Sequence, residues 1–238
     1  MAASPFVGEG HRKVWARLRV GRGIRAGKER VLRVMRENNL LSPHRAARRD
    51  TAPHDRSITT DSPNVLWGAD GLRVWTVDDG WGWVFAAVEH WNAECMGWHV
   101  TKVGSRFAAL EPIAQGVLRE FGSTGADAAR GLSLRIDHGT QYLSDHFQNQ
   151  IRYWGIAPSF AFVEEPQTNG VAERFFRTLR EQVLHGRVYR TLEDVRRAVA
   201  EFVELYNESW LLEKLGYLSP RQARRRREAA SGSTRKAA

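Results

Sequence analysis

Leu132-Ser-Leu-Arg-Ile-Asp137-His-Gly-Thr-Gln-Tyr142 is the stretch on which the reading of this chain turns. Leu132, Leu134 and Ile136 alternate with Ser133, Arg135 and Asp137, the two-residue period of a half-buried strand. The strand ends on a carboxylate, with His138-Gly139 turning the chain behind it. Working outward, 66 residues separate Asp137 from the earlier Asp70, which closes the phrase Asn64-Val-Leu-Trp-Gly-Ala-Asp70. Downstream, 35 residues separate Asp137 from Glu173, in Pro166-Gln-Thr-Asn-Gly-Val-Ala-Glu173-Arg-Phe-Phe. Each acid alone has an ordinary explanation: a strand-end turn for Asp70, an Asp-containing turn for Asp137, a helical ion pair with Arg177 for Glu173. In this order and at this spacing they read as one carboxylate triad.

The surrounding elements fit that reading. Asn64 to Val100 predicts three strands: Val65–Asp70, running on through Val74, then Trp81–Glu89 and Glu94–Val100. Turns at Asp78-Asp79-Gly80 and Asn92-Ala93 make them an antiparallel meander. Phe107, Leu110, Ile113, Ala114, Val117, Leu118 and Phe121 form a helical stripe that Gly122 ends. After the Asp137 strand come a helix over Ser144–Trp154, a strand over Ile156–Phe162, and helices over Val171–His185 and Leu192–Tyr206. Strands first, then alternating helix and strand, predict a mixed α/β sheet covered by helices. On the Glu173 helix, Val171, Phe175, Leu179 and Val183 share one stripe, whereas Glu173, Arg177 and Arg180 share another face. Thr168 or Asn169 would cap this helix. His138 and Gln141, beside the second aspartate, are candidates to position water or touch a phosphate, and Asn169 belongs with them as a supporting residue.

Composition narrows the function classes. The single cysteine excludes a disulfide framework, and the eight histidines lack ligand-like spacing, so no zinc module is encoded. The longest strongly apolar run, Trp83 to Val88, is too short to span a bilayer, and a cytoplasmic protein without membrane contact is expected. No nucleophilic Ser or Cys constellation and no Walker-type phosphate loop is present. Charge is uneven: residues 1–60 carry 14 Lys/Arg against 5 Asp/Glu, residues 61–218 carry 15 against 21, and residues 219–238 carry 7 against 1. Basic ends around an acidic middle suit a protein that grips phosphates and concentrates cations at its centre.

Four segments result. Residues 1–41 read as a basic module of helix, glycine-rich turn and helix, with Arg17, Arg30, Arg33 and Arg36 (and Arg19) as candidate DNA contacts. A basic hairpin that only packs on the core accounts for them as well. Residues 42–63, proline-rich and without apolar period, read as a linker. Residues 64–218 form the core, and residues 219–238 a basic disordered tail. Of the nine tryptophans, five fall between 67 and 91, where core packing is preferred to a base-stacking platform.

The three carboxylate phrases resemble the catalytic core of the transposase and retroviral-integrase superfamily, marked by two aspartates and a glutamate about 35 residues after the second. Most of the chain resembles the downstream-frame product of two-frame bacterial insertion sequences, from His11-Arg-Lys-Val-Trp-Ala-Arg-Leu to Tyr206-Asn207 and Leu215-Gly-Tyr-Leu-Ser-Pro220. Departures are Gly71-Leu72 where a threonine commonly follows the first aspartate, and Trp210-Leu211-Leu212 where an Arg-Pro-His-like stretch is frequent.

The resemblance implies a ribonuclease-H-like five-stranded mixed sheet, with Asp70, Asp137 and Glu173 as catalytic and metal-binding residues. Arg180 falls at the family's basic position seven places after the glutamate, and Arg177 and Arg180 would hold DNA. The implied cofactor is Mg²⁺, two ions, with Mn²⁺ able to substitute; carboxylates are the donors such hard cations take. The implied partners are the ends of a mobile element, target DNA, further copies of the chain, and an upstream-frame product or a fusion to it. A ribonuclease-H-like nuclease without strand transfer and a non-catalytic DNA-binding remnant are the alternatives.

Overall fold

The computed structural model describes residues 4–41, 60–160 and 169–236, with side chains described to residue 231. Its contacts divide the chain into two compact units, Asp55–Glu204, and Met1–His54 together with Leu205–Ala238.

The first unit is built on five strands: β1 (Leu66–Thr76), β2 (Gly80–Glu89), β3 (Cys95–Thr101), β4 (Ser133–Ile136) and β5 (Ala157–Phe160). They lie in the order β3-β2-β1-β4-β5. The β1–β2 and β2–β3 pairs are antiparallel, whereas β1–β4 and β4–β5 are parallel. A meander of three strands extended by two parallel crossover strands is the ribonuclease-H-like arrangement expected above. Helices α3 (Arg106–Phe121), α4 (Thr140–Leu143) and α5 (Asp145–Tyr153) pack with the sheet in a core that holds Trp67, Ala69, Phe85, Ile113, Leu134, Ile136, Tyr142 and Phe147.

Local chemistry sets the ends of these helices. Ser105 accepts a hydrogen bond from the Ala108 N–H at 3.2 Å at the start of α3, and Gly122, at φ +73°, closes it through an N–H bond to the Leu118 carbonyl. Close packing of α3 on β3 needs Gly97: a Cβ there would stand 2.2 Å from the Pro112 carbonyl oxygen. Below β1 the buried Glu89 carboxylate accepts from the Asn64 N–H at 2.6 Å, the Trp67 indole at 3.1 Å and the Trp91 N–H at 3.1 Å. Helices α6 (Gly170–Leu179) and α7 (Leu192–Ser209) follow in the chain. At Gly68 a Cβ would meet the Ala172 side chain of α6 at 3.3 Å, which places α6 over the opposite face of β1.

The tryptophans do not all pack inside. Trp67 is fully buried, but Trp75 is 49% and Trp81 53% exposed. The β1–β2 hairpin extends past the core packed on that face, so its tip is left uncovered.

The second unit contains α1 (His11–Ala16), continued by a wider turn over Arg17–Gly21, α2 (Lys28–Glu37), and α8 (Pro220–Lys236). This differs from the expected core over 64–218 and disordered tail over 219–238. Residues 205–218 join the N-terminal segment because their rings pack there: Trp210 meets Phe6 edge-on at 4.8 Å, and Tyr217 meets Trp15 at 5.5 Å. The tail is helical because Ser219-Pro-Arg-Gln222 is a reciprocal cap. The Ser219 hydroxyl accepts from the Gln222 N–H at 3.3 Å, and the Gln222 side-chain oxygen Oε1 accepts from the Ser219 N–H at 3.0 Å. Pro220 occupies the first helical position, where its missing N–H costs nothing. Arg221 and Arg225 of that helix both bind Glu208. Residues 42–59 of the expected linker lie outside the described residues.

Candidate active site

Adjacent parallel strands bring the two aspartates together. Gly68 of β1 stands opposite Arg135 of β4, and two residues further along each strand come Asp70 and Asp137. By strand alternation Gly68 and Asp70 share the face that α6 covers. On α6, Glu173, Arg177 and Arg180 are exposed, whereas Ala172, Phe175, Phe176 and Leu179 are buried, so the apolar stripe seats the helix and turns the polar face outward. No ion pair joins Glu173 to Arg177 among the described residues.

Electrostatics ties these groups into one site. The Asp70 carboxyl is pushed up from 3.8 to about 6, chiefly by burial. The negative charges of Asp137 and Glu173 push in the same direction, while the Gly71 N–H, donating to Asp70 Oδ1 at 2.7 Å, and the Arg180 guanidinium oppose them. Three carboxylates share a field whose cost falls on the most buried of them. Among the described residues no three His, Cys, Asp or Glu side chains stand at the spacing of a closed metal site. The donor set still fits a hard divalent cation: all oxygen, with no thiolate or imidazole, and with mutual repulsion that a cation relieves.

Around the triad the supporting residues are placed as follows. Asp137 is exposed and accepts from the Gly139 N–H at 2.8 Å, which fixes the turn. Gln141 folds back over that turn: a Cβ on Gly139 would lie 2.6 Å from its amide nitrogen and 2.9 Å from Asp137 Oδ1. His138 stacks on Phe160, centroids 5.7 Å apart, and so faces β5. Asn169 precedes α6 but does not cap it with its side chain. Its amide nitrogen donates instead to the Ala69 carbonyl at 3.4 Å, beside Asp70. Thr168 and the Glu164-Glu165 pair lie outside the described residues.

Two neighbours escaped the sequence reading. Tyr142 looks like a core aromatic in the sequence and does pack edge-on against Phe147 at 5.2 Å. Its buried hydroxyl, however, makes no hydrogen bond among the described residues and lies within the field of Asp70 and Asp137; burial first, then those charges, hold it protonated well above the usual phenol range. Arg135 reads as the polar partner of Leu134 in a half-exposed strand, yet it is 8% exposed with Nε and Nη1 unpartnered. Alternation was the available signal, since Arg135 and Asp137 must share a face.

The basic helices place their arginines unevenly. Arg30, Arg33 and Arg36 are exposed on α2, Arg33 lying 3.8 Å from Glu37. Arg17 is held by the buried Glu9, with Nε and Nη2 at 2.6 and 2.8 Å from its carboxylate, and it donates to the Ser209 carbonyl. Arg17 is therefore a structural cation rather than the free phosphate contact expected.

Comparison with known proteins gives relatives for this geometry. The Integrase core domain model matches residues 154–220. The transposase InsD for insertion element IS2A/D/F/H/I/K of Escherichia coli is 28% identical over 225 residues, covering 92% of this chain and 74% of that protein. InsD for insertion element IS2-9 of the K12 strain matches at the same identity over 72% of its length. Among solved structures, the BIV integrase catalytic core superposes with a TM-score of 0.48 at 19% identity, over 71% of this chain and 98% of that one. The HTLV-2 integrase catalytic core in complex with magnesium gives 0.49 at 16%, over 68% and 96%.

Proposed function

We propose that this chain, a relative of insertion-element transposases along most of its length, is a metal-dependent DNA transposase. It cleaves phosphodiesters at the ends of a mobile element and joins the released 3′-hydroxyl to a second phosphodiester. The observation that carries the reading is the placing of Asp70 and Asp137 on adjacent parallel strands, with Asp70 a partly buried carboxyl whose ionisation is opposed by Asp137 and Glu173 from two other elements. A partly buried acid beside two other acids is stabilised by a bound divalent cation, which relieves their repulsion, and this supports a metal-dependent site.

Asp70, Asp137 and Glu173 would hold two Mg²⁺ ions, with Mn²⁺ able to replace them. When bound, such ions supply Lewis-acid stabilisation of the attacking and leaving oxygens. The chain's own residues do the rest. Asp70 is fixed on β1 by the Gly71 N–H, Asp137 by its Gly139 turn, and Glu173 by the buried stripe of α6. Arg177 and Arg180, exposed on the face that carries Glu173, hold the phosphates flanking the scissile bond, and Arg30, Arg33 and Arg36 grip DNA from the basic unit. His138 and Gln141 border the attacking oxygen. Asn169 holds the start of α6 to β1. The active form is a multimer that pairs two element ends in the cytoplasm, with an upstream-frame product as partner or fusion.

The test is strand joining on a branched DNA that mimics the inserted product. Wild type reseals it in Mg²⁺ or Mn²⁺ but not Ca²⁺, and Glu173→Gln abolishes resealing while DNA affinity stays within about twofold. Cleavage without joining points to a plain nuclease, and unchanged joining by Glu173→Gln removes the triad assignment.

A further inference from the structure

The tip of the β1–β2 hairpin carries side chains that neither fold nor triad explains. Leu72, Val74 and Thr76 on one face of β1 are buried, whereas Arg73 and Trp75 on the other are exposed. Their cross-strand partners on β2 are Trp83 and Trp81. Arg73 lies over the Trp81 ring at 4.5 Å and over the Trp83 ring at 5.9 Å. Gly104 runs directly under Trp83, since a Cβ there would stand 2.5 Å from the indole. Two residues on, Arg106 lies over Phe107 at 4.9 Å, and Phe107 is 53% exposed. The row therefore continues from the hairpin to the start of α3, and Phe107 reaches His146 of α5 at 4.6 Å, next to the α4 segment that follows Asp137.

Among the described residues neither arginine is paired with a carboxylate. Each is held by an aromatic face with its charge uncompensated, while Trp81 and Phe107 keep about half their surface in water. Exposed rings cost solubility when they have no partner, and the partner that suits rings interleaved with free guanidinium groups is one with flat π-faces and an anionic backbone. Duplex DNA offers the phosphates but keeps its base faces stacked; an unpaired strand offers both. We infer that Arg73, Trp81, Trp83, Arg106 and Phe107 form a binding surface for an unpaired DNA strand, on the sheet face opposite the one that Asp70 shares with α6. The inference rests on the transposase reading, and it specifies that the substrate's end is opened where it crosses the hairpin.

Binding measured in Ca²⁺, without turnover, tests it. Three DNAs are compared: a blunt duplex, the same duplex with a splayed single-stranded end, and the splayed form with abasic nucleotides in the unpaired strand. Trp81→Ala is expected to weaken splayed-end binding at least about fivefold, the lower bound for losing one stacked base. Blunt-duplex affinity should stay within about twofold, Trp81→Phe should restore most of the loss, and the abasic DNA should show no difference between wild type and Trp81→Ala. Arg73→Gln should lower splayed-end affinity and its salt dependence together. Equal losses on blunt and splayed DNA, or none, overturn the inference alone. It is also overturned if wild type self-associates in sedimentation and Trp81→Ala does not, because the patch is then an interface between copies. Failure of wild type to bind any of the three DNAs removes the transposase reading as well.

Discussion

Asp70→Asn isolates the energetic cost of the candidate active site from its proposed chemistry. The substitution keeps the shape and the oxygen that accepts the Gly71 N–H at 2.7 Å, and removes the ionisable group. In the folded protein Asp70 ionises near 6 rather than 3.8. That difference corresponds to about 3 kcal/mol against the folded state once the carboxyl is fully ionised. Asp70 retains some access to water, so about 1–2 kcal/mol is the expected size. The sign follows from proton counts. Between 3.8 and about 6 the folded protein binds more protons at this position than the unfolded chain, so its stability falls as pH rises through that window and levels off above it. Asn has no such window. Urea unfolding in EDTA should therefore show Asp70→Asn more stable than wild type by about 1–2 kcal/mol at pH 7.5, a rise in Tm of a few degrees for a unit of this size. The gap should close by pH 4. Adding Mg²⁺ or Mn²⁺ should raise the wild type and leave the variant nearly unchanged. A difference independent of pH, or a variant less stable than wild type at pH 7.5, would refute the argument that Asp70 is buried against its neighbours' charge.

Other expectations concern packing and the orphaned groups. Gly97→Ala should destabilise the sheet unit by about 3 kcal/mol or more in thermal unfolding, because the new methyl meets backbone rather than a side chain that can move. Glu9→Ala should cost the helical unit about 3 kcal/mol, the low end for a broken buried pair, since Arg17 keeps some access to water. Circular dichroism at helix wavelengths should show it melting earlier while the sheet unit is unaffected. Tyr142→Phe should be neutral or stabilising by up to about 1 kcal/mol, because the deleted hydroxyl has no partner to lose. A loss larger than that would show that the phenol is bonded after all.

Much of the fold was legible because it is written in local periods. The alternation over Leu132–Asp137 gave β4, the stripe from Phe107 to Phe121 gave α3, and the glycine after it gave the stop. The same logic put Glu173, Arg177 and Arg180 on one helical face. Where the reading failed, two causes recur. At residues 219–238 the basic run suggests a solvated tail, whereas Ser219-Pro-Arg-Gln222 is a capping signal that starts a helix. At Arg135 alternation set the face but not its burial, and at the hairpin tryptophans no local signal was sufficient. Arg135 alternates like a surface residue but lies in an inner strand between β1 and β5, and Trp75 and Trp81 alternate like core residues beyond the end of the core.

The sequence alone determined which acids are the candidates for the chemistry and in what order they come, because strand and helix periods act over a few residues and leave each acid in its own recognisable phrase. Tertiary structure alone decided that β1 lies beside β4, which puts Asp70 and Asp137 on neighbouring strands, and that α6, the helix of Glu173, covers the face of β1 that carries Asp70. It also decided which polar groups are buried without partners and which aromatic rings stay in water. Those outcomes depend on how far one element reaches past another, and the covering surface comes from residues distant in the chain, where no local period can encode it.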